Sequence, residues 1–258
     1  MKSVFPKLLH VTCLTHGNNR VAETVRSLYK DIDKLVANIK AIFKKSPSRI
    51  RAYHVMCPNL PLPPEPVLTR WGTWLVVVDF LCQNFENIKN VIMSFDVNEA
   101  ESVRTAQMLF ANTVVTSQIA EISANFSVLA SCIEKLESRQ LQLHESIDVI
   151  NNFRSHIESS ASINVKKVAT KMNDVLSKNS DFKTMVEYSK IFKGVDSDAS
   201  LIHETSELGT FKFCPLTSVE VERSFSMSKS ILSIQRQRFL IENFEMTTVC
   251  HYELHRDC

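Results

Sequence analysis

The chain has 258 residues, 30 Lys and Arg against 28 Asp and Glu, and a hydrophobic fraction of 44%. That near-balance excludes a chain drawn as a whole to nucleic acid or membrane by charge, and the apolar content suits a globular protein with a buried core. Four glycines and eight prolines favour helices over a turn-rich β architecture, and seven cysteines without a repeated spacing exclude a disulfide framework.

The N-terminal run Met1–Gly17 is too short in its apolar stretch and too polar after it to read as a signal peptide, and no stretch of about 18 apolar residues suggests a membrane span. Reduced thiols then point to a nuclear or cytoplasmic protein. Val4 to Thr12 is an apolar run with Pro6 near its start, the best strand candidate in the chain. From Asn18 to Lys45 a helix is expected, because Val21, Val25, Leu28, Ile32, Leu35, Ile39 and Ile42 recur every three or four residues. Between Arg20 and Arg51 there are nine Lys or Arg and three Asp or Glu, the most basic stretch of the protein. Its charges are spread around the helix, which fits a solvated face better than a DNA-binding stripe.

Leu60 to Pro66 is a proline-rich break. A helix from Arg70 to Met93 follows, with Thr69 as N-cap and a stripe of Trp71, Trp74, Val78, Leu81, Phe85, Ile88 and Ile92. The clearest pattern is Val115, Ile119, Ile122, Phe126, Leu129, Ile133 and Leu136, whose steps alternate four and three. A second stripe, Leu143, Ile147, Ile150, Phe153 and Ile157, comes after the polar break Glu137–Gln140. Two antiparallel helices packed inside one bundle are preferred over a dimeric coiled coil, since a short connection favours antiparallel neighbours. One or two weaker helices fit residues 162 to 192, and Gly194 to Gly209 reads as an acidic, polar linker.

The last segment stands apart. Thr217-Ser-Val-Glu220 fits a capping box, a helix to about Ser230 should follow, then a turn near Gln235–Arg238 and a final helix from Glu242. Cys13 and His16 have metal-ligand spacing without a second pair to complete a tetrahedral site. Cys250, His251, His255 and Cys258 lack the usual loop between ligand pairs, and a frayed polar tail is the preferred reading. No metal and no cofactor is expected.

The run Pro215-Leu-Thr-Ser-Val-Glu-Val-Glu222-Arg223-Ser-Phe225-Ser226, with Arg236-Gln-Arg238-Phe239 and Ile241-Glu-Asn243 behind it, resembles the C-terminal dimerisation region of the hAT family of transposases. Cys13-Leu-Thr-His16 is similar to that family's Cys-x-x-His element, and Arg70-Trp71-Gly-Thr-Trp74 to its Arg-Trp element. The resemblance implies a mostly α chain built as a truncated RNase H-like core with a large helical insertion. Residues 1–94 would be the remnant of the core, 95–204 the insertion and 205–258 the dimerisation region. The family cuts DNA with three carboxylates and two metal ions. Glu222 matches the third acid, but the twelve residues before Cys13 contain no Asp or Glu, so Glu222 is orphaned and no enzyme activity is expected. The implied function is transposase-derived protein dimerisation through Val221, Arg223, Phe225, Leu232 and Phe239. DNA is a further partner through Arg70, Trp71 and His16, though the periodicity puts Trp71 in the core. The alternatives are a nuclear DNA-binding regulator and a helical coiled-coil scaffold. A homodimer is expected, with no membrane and no small-molecule substrate.

Overall fold

The computed structural model describes residues 8–67, 71–138, 141–195, 208–232 and 240–254, with backbone alone at Trp71 and at 251–254. Among them there are thirteen α-helices and no strand, so the chain is mostly α. No helix of the described residues is long and apolar enough to cross a membrane.

The strand expected at Val4–Thr12 is not formed over residues 8–12; Val4–Lys7 lie outside the described residues. Side chains take the place of a neighbouring strand. The His10 amide donates to Asp181 Oδ2 at 2.7 Å, the Thr12 amide donates to Asn179 Oδ1 at 3.2 Å, and Asn179 Nδ2 donates back to the Thr12 carbonyl at 3.4 Å. These three bonds hold the segment on the bundle without a sheet.

The helix expected over Asn18–Lys45 is two helices, α1 (Leu14–Leu28) and α2 (Lys30–Phe43), broken at Tyr29. Tyr29 leaves the helical region at φ −119°, ψ 64°, and its carbonyl accepts from the Asp33 amide at 3.0 Å to start α2. Arg26 Nε and Asp33 Oδ1, 2.5 Å apart, clamp the break. The apolar stripe survives it, with Val21, Val25, Ile32, Leu35, Ile39 and Ile42 buried. α3 (Pro47–Met56) begins on the proline-favoured first turn. Its Tyr53 hydroxyl donates to the Pro61 carbonyl at 2.8 Å and fixes the start of the proline-rich segment. The helix expected over Arg70–Met93 is also two, α4 (Trp71–Gln83) and α5 (Phe85–Met93), with Asn84 between them. Thr69 lies outside the described residues.

After α6 (Glu101–Phe110), the heptad stripe forms one face of α7 (Thr113–Leu136), capped by the Asn112 side chain on the Val114 amide at 2.9 Å. None of its seven stripe residues is more than 7% exposed. They pack chiefly on α4 and on α8 (Leu143–Glu158). The His156 ring donates to the Ala124 carbonyl at 3.2 Å and the Cys132 thiol reaches the Val149 carbonyl at 3.8 Å, so α7 and α8 run antiparallel. The stripe is an intramolecular bundle face, and no seam is left on it for a coiled-coil partner. α9 (Ile163–Ser177) and α10 (Phe182–Phe192) complete the bundle, α9 lying on α1 and α10 on α8. Most of the expected linker after Gly194, residues 196–207, lies outside the described residues.

The chain returns across the bundle through a short α11 (Leu208–Phe211). Phe211 stacks on Tyr188 with ring centroids 4.5 Å apart. The Lys212 carbonyl accepts from the Leu143 amide and the Leu216 carbonyl from the Leu14 amide, both at 2.9 Å. Both amides belong to first-turn residues that have no partner inside their own helix. The segment therefore caps two bundle helices before α12 (Val219–Ile231) and α13 (Ile241–Leu254) begin.

Candidate functional site

The capping box expected at Thr217–Glu220 is not formed. Ser218 is the N-cap of α12, one residue later than expected, and Val221 then occupies the position that needs an acceptor. Glu220 pairs with Arg223, and Ser218 Oγ donates to Glu222 Oε1 at 2.8 Å. The capping box that does form is at Gln142 and Glu145, where the Gln142 amide donates to Glu145 Oε2 at 2.7 Å.

At the start of α12 the Ser218 amide has no partner inside its own helix, and it donates to Cys13 Sγ at 3.2 Å. Cys13 is itself the N-cap of α1. One turn along α1, His16 Nε2 stands 3.5 Å from Glu222 Oε1, both side chains more than half exposed. Residues more than two hundred positions apart thus meet where the two helices begin. Burial would push the Cys13 thiol up, but hydrogen bonding with its neighbours Ser218 and His16, the Ser218 amide among them, outweighs it and holds the thiol below its ordinary range.

Beside these groups lies an open, mostly polar cleft of about 780 Å³, lined among others by Thr15, His16, Arg20, Glu137, Glu222 and Arg223. Arg223 Nη2 donates to the Glu137 carbonyl at 3.2 Å and so joins α12 to the end of α7. Thr15 is 4% exposed, and its hydroxyl has no hydrogen-bond partner. Thr15 was not singled out by the sequence, and Arg20 only as a charge of the basic stretch. The meeting of the start of α12 with α1 gives them a shared cleft with His16 and Glu222.

The remaining expected residues are scattered. Val221 and Phe225 on α12 and Leu232 at its C-cap have 53, 63 and 51% of their surface exposed. Phe239, Arg236 and Arg238 lie outside the described residues, as does Arg70; Trp71 opens α4, and its side chain is not described. In the basic stretch, Arg26 is paired with Asp33, Lys40 with Glu65 at 2.9 Å and Arg49 with Glu99 at 3.2 Å. At the C-terminus Cys250 is exposed, while His255, Cys258 and the His251 side chain lie outside the described residues. Each described cysteine is a free thiol, and among the described residues no three of His, Cys, Asp and Glu converge as metal ligands.

No protein-family model, no curated protein and no solved structure matches the chain.

Proposed function

We propose that the chain is a catalytically inactive, transposase-derived protein that self-associates through its C-terminal two-helix unit, in which residues 1–94 descend from an RNase H-like core that has lost its sheet. The observation that carries the self-association is the surface of α12 and α13. Val221, Phe225, Leu232, Ile241, Met246 and Val249 each expose more than half of their surface. Val221 and Phe225, four apart, share a stripe of α12, and Leu232, seven residues on, is its C-cap. Large apolar side chains gathered on two successive helices mark an interaction surface. A second copy of the same surface is the partner that symmetry favours, because an isologous contact buries both faces at once. Arg223 ties this unit to the bundle through the Glu137 carbonyl.

The inactive reading rests on Glu222, whose partners are a serine hydroxyl and an imidazole. Two-metal cleavage needs further carboxylates around the same ions. A nuclear DNA-binding role is the lesser reading. Three cations of the basic stretch are already committed to intramolecular pairs, which lowers the number free to neutralise phosphates.

Light scattering on the purified full chain tests the reading. The expected mass is twice 29.4 kDa, falling to 29.4 kDa for Phe225→Asp with the helical circular dichroism retained. A monomeric full chain, or a Phe225→Asp variant that stays dimeric, overturns it.

A further inference from the structure

A cavity of about 490 Å³ lies between α2 and the proline-rich segment that follows α3. Its volume falls within the roughly 300–1,000 Å³ of small-molecule sites. Val36, Ile39 and Phe43 of α2 and Val77 of α4 line its buried part. Leu62, Pro63 and Pro64 form another wall, and neither proline has an N–H to offer a ligand. That wall is held at both ends. The Tyr53 hydroxyl donates to the Pro61 carbonyl at 2.8 Å, and Lys40 Nζ stands 2.9 Å from Glu65 Oε2. The cavity is therefore built in advance, which spares a ligand the cost of ordering it.

The lining changes character toward solvent, where Lys44, Lys45 and Glu65 are its exposed residues. With Lys40, three ammonium groups stand against one carboxylate, and Glu65 is already paired with Lys40. Lys44 and Lys45 enter no ion pair among the described residues. Nor does the end of α2 need them. Its Lys40, Ile42 and Phe43 carbonyls already accept from the Lys44 amide, the Arg49 guanidinium and the Ser46 amide. Lys45 stands at φ 55°, the one positive φ among the described non-glycine residues. Such a turn favours glycine, yet here it carries a charge beside the cavity.

We propose that this cavity binds an amphipathic monoanion, an unbranched alkyl carboxylate, with its chain among Val36, Ile39, Phe43 and Val77 and its head group at Lys44 and Lys45. The two uncompensated ammonium groups select an anionic head, and the wall without donors selects a hydrocarbon body, which has no acceptor to leave unsatisfied. The proposal is independent of the self-association reading, since no residue of α12 or α13 lines the cavity.

Its test is calorimetric titration of the full-length protein with octanoate below its micellar concentration, beside octanol as the uncharged chain and acetate as the head group alone. Octanoate is expected to saturate one site, and octanol and acetate to bind far more weakly. Lys44→Gln with Lys45→Gln should weaken octanoate about tenfold, two exposed charge contacts being lost together. The same charge removed from exposed α9 residues, Lys166→Gln with Lys167→Gln, should leave binding unchanged, and so should Phe225→Asp on the other exposed apolar surface. Leu62→Trp, which fills the cavity from its half-buried wall, should abolish binding with the helical circular dichroism retained. Because Lys44 and Lys45 are exposed, their variant remains decisive even if Leu62→Trp does not fold. The absence of saturable octanoate binding overturns the proposal. So does octanol binding as tightly as octanoate, or a loss no greater for the Lys44 and Lys45 pair than for the α9 pair.

Discussion

α7 and α12 carry the same kind of sequence and meet opposite fates. Each has large apolar residues at helical spacing. On α7 the whole stripe from Val115 to Leu136 is sealed against α4 and α8, whereas on α12 Val221, Phe225 and Leu232 remain more than half exposed. The difference lies in what surrounds each helix. α7 is the middle of the chain's order and has partners before and after it. α12 follows a segment that spends its own apolar residues, Phe211 and Leu216, on capping and stacking against the bundle. Periodicity therefore identifies an apolar face and leaves open what covers it.

The sharpest way to break that contrast is to delete one ring from each helix. Phe126 is fully buried at the centre of the α7 stripe. Phe126→Ala should cost about 3–5 kcal/mol in urea unfolding, the transfer free energy of the ring plus the cavity it leaves. A loss below about 1 kcal/mol would mean that α7 is not the centre of the core.

Alkaline pH loads the same interface without a substitution. Burial pushes the Cys132 thiol up to about 12, with Lys135 opposing the shift. The fold therefore holds the neutral thiol. Its contribution is complete below the unfolded value near 9 and is lost as pH rises from there toward about 12, because the unfolded chain ionises first. Between about pH 9 and 10.5 stability should fall at up to about 1.4 kcal/mol per pH unit from this residue. Cys132→Ala, although less stable at neutral pH, should show a flatter slope. An unchanged slope would assign the alkaline loss to other groups.

A smaller effect is expected where α1 lies on α9. A Cβ on Gly17 would come within 2.7 Å of Val175 Cγ1, a branched side chain close to its backbone. Gly17→Ala gains about 0.5–1 kcal/mol of helix propensity and loses about 1–3 kcal/mol to overpacking, for a net loss on the order of 1 kcal/mol. A stabilised variant would show that the two helices can separate freely.

The apolar stripes of α1, α2, α4, α5, α7 and α8 were legible because their large residues recur at three and four, whereas α3, with Tyr53 alone buried, carries no such stripe. The breaks at Tyr29 and Asn84 were not, since both stripes continue in phase across them and neither position carries a proline or glycine. The strand was misread for a related reason. Val4–Thr12 has strand-like residues, but a strand needs a neighbour, and here Asn179 and Asp181 bind the backbone instead. Cys13, His16 and Glu222 could each be singled out by their motifs. Their meeting could not, because it is a tertiary contact between helix starts more than two hundred positions apart, made by the Ser218 amide on Cys13 and by His16 beside Glu222.

The smallest expected change in stability is the most informative for function. Phe225 is 63% exposed, so Phe225→Ala removes little buried surface within one chain and should change the unfolding free energy of dilute protein by less than about 0.5 kcal/mol. In a dimer the same ring would be buried against its symmetry mate, and each interface would lose two rings at once. Unfolding followed at rising protein concentration separates these terms, because only association makes stability depend on concentration. The unaltered chain should grow more stable with concentration and Phe225→Ala should not. If the two respond alike, Phe225 lies outside any contact between copies, and the apolar row of α12 is not the dimer interface.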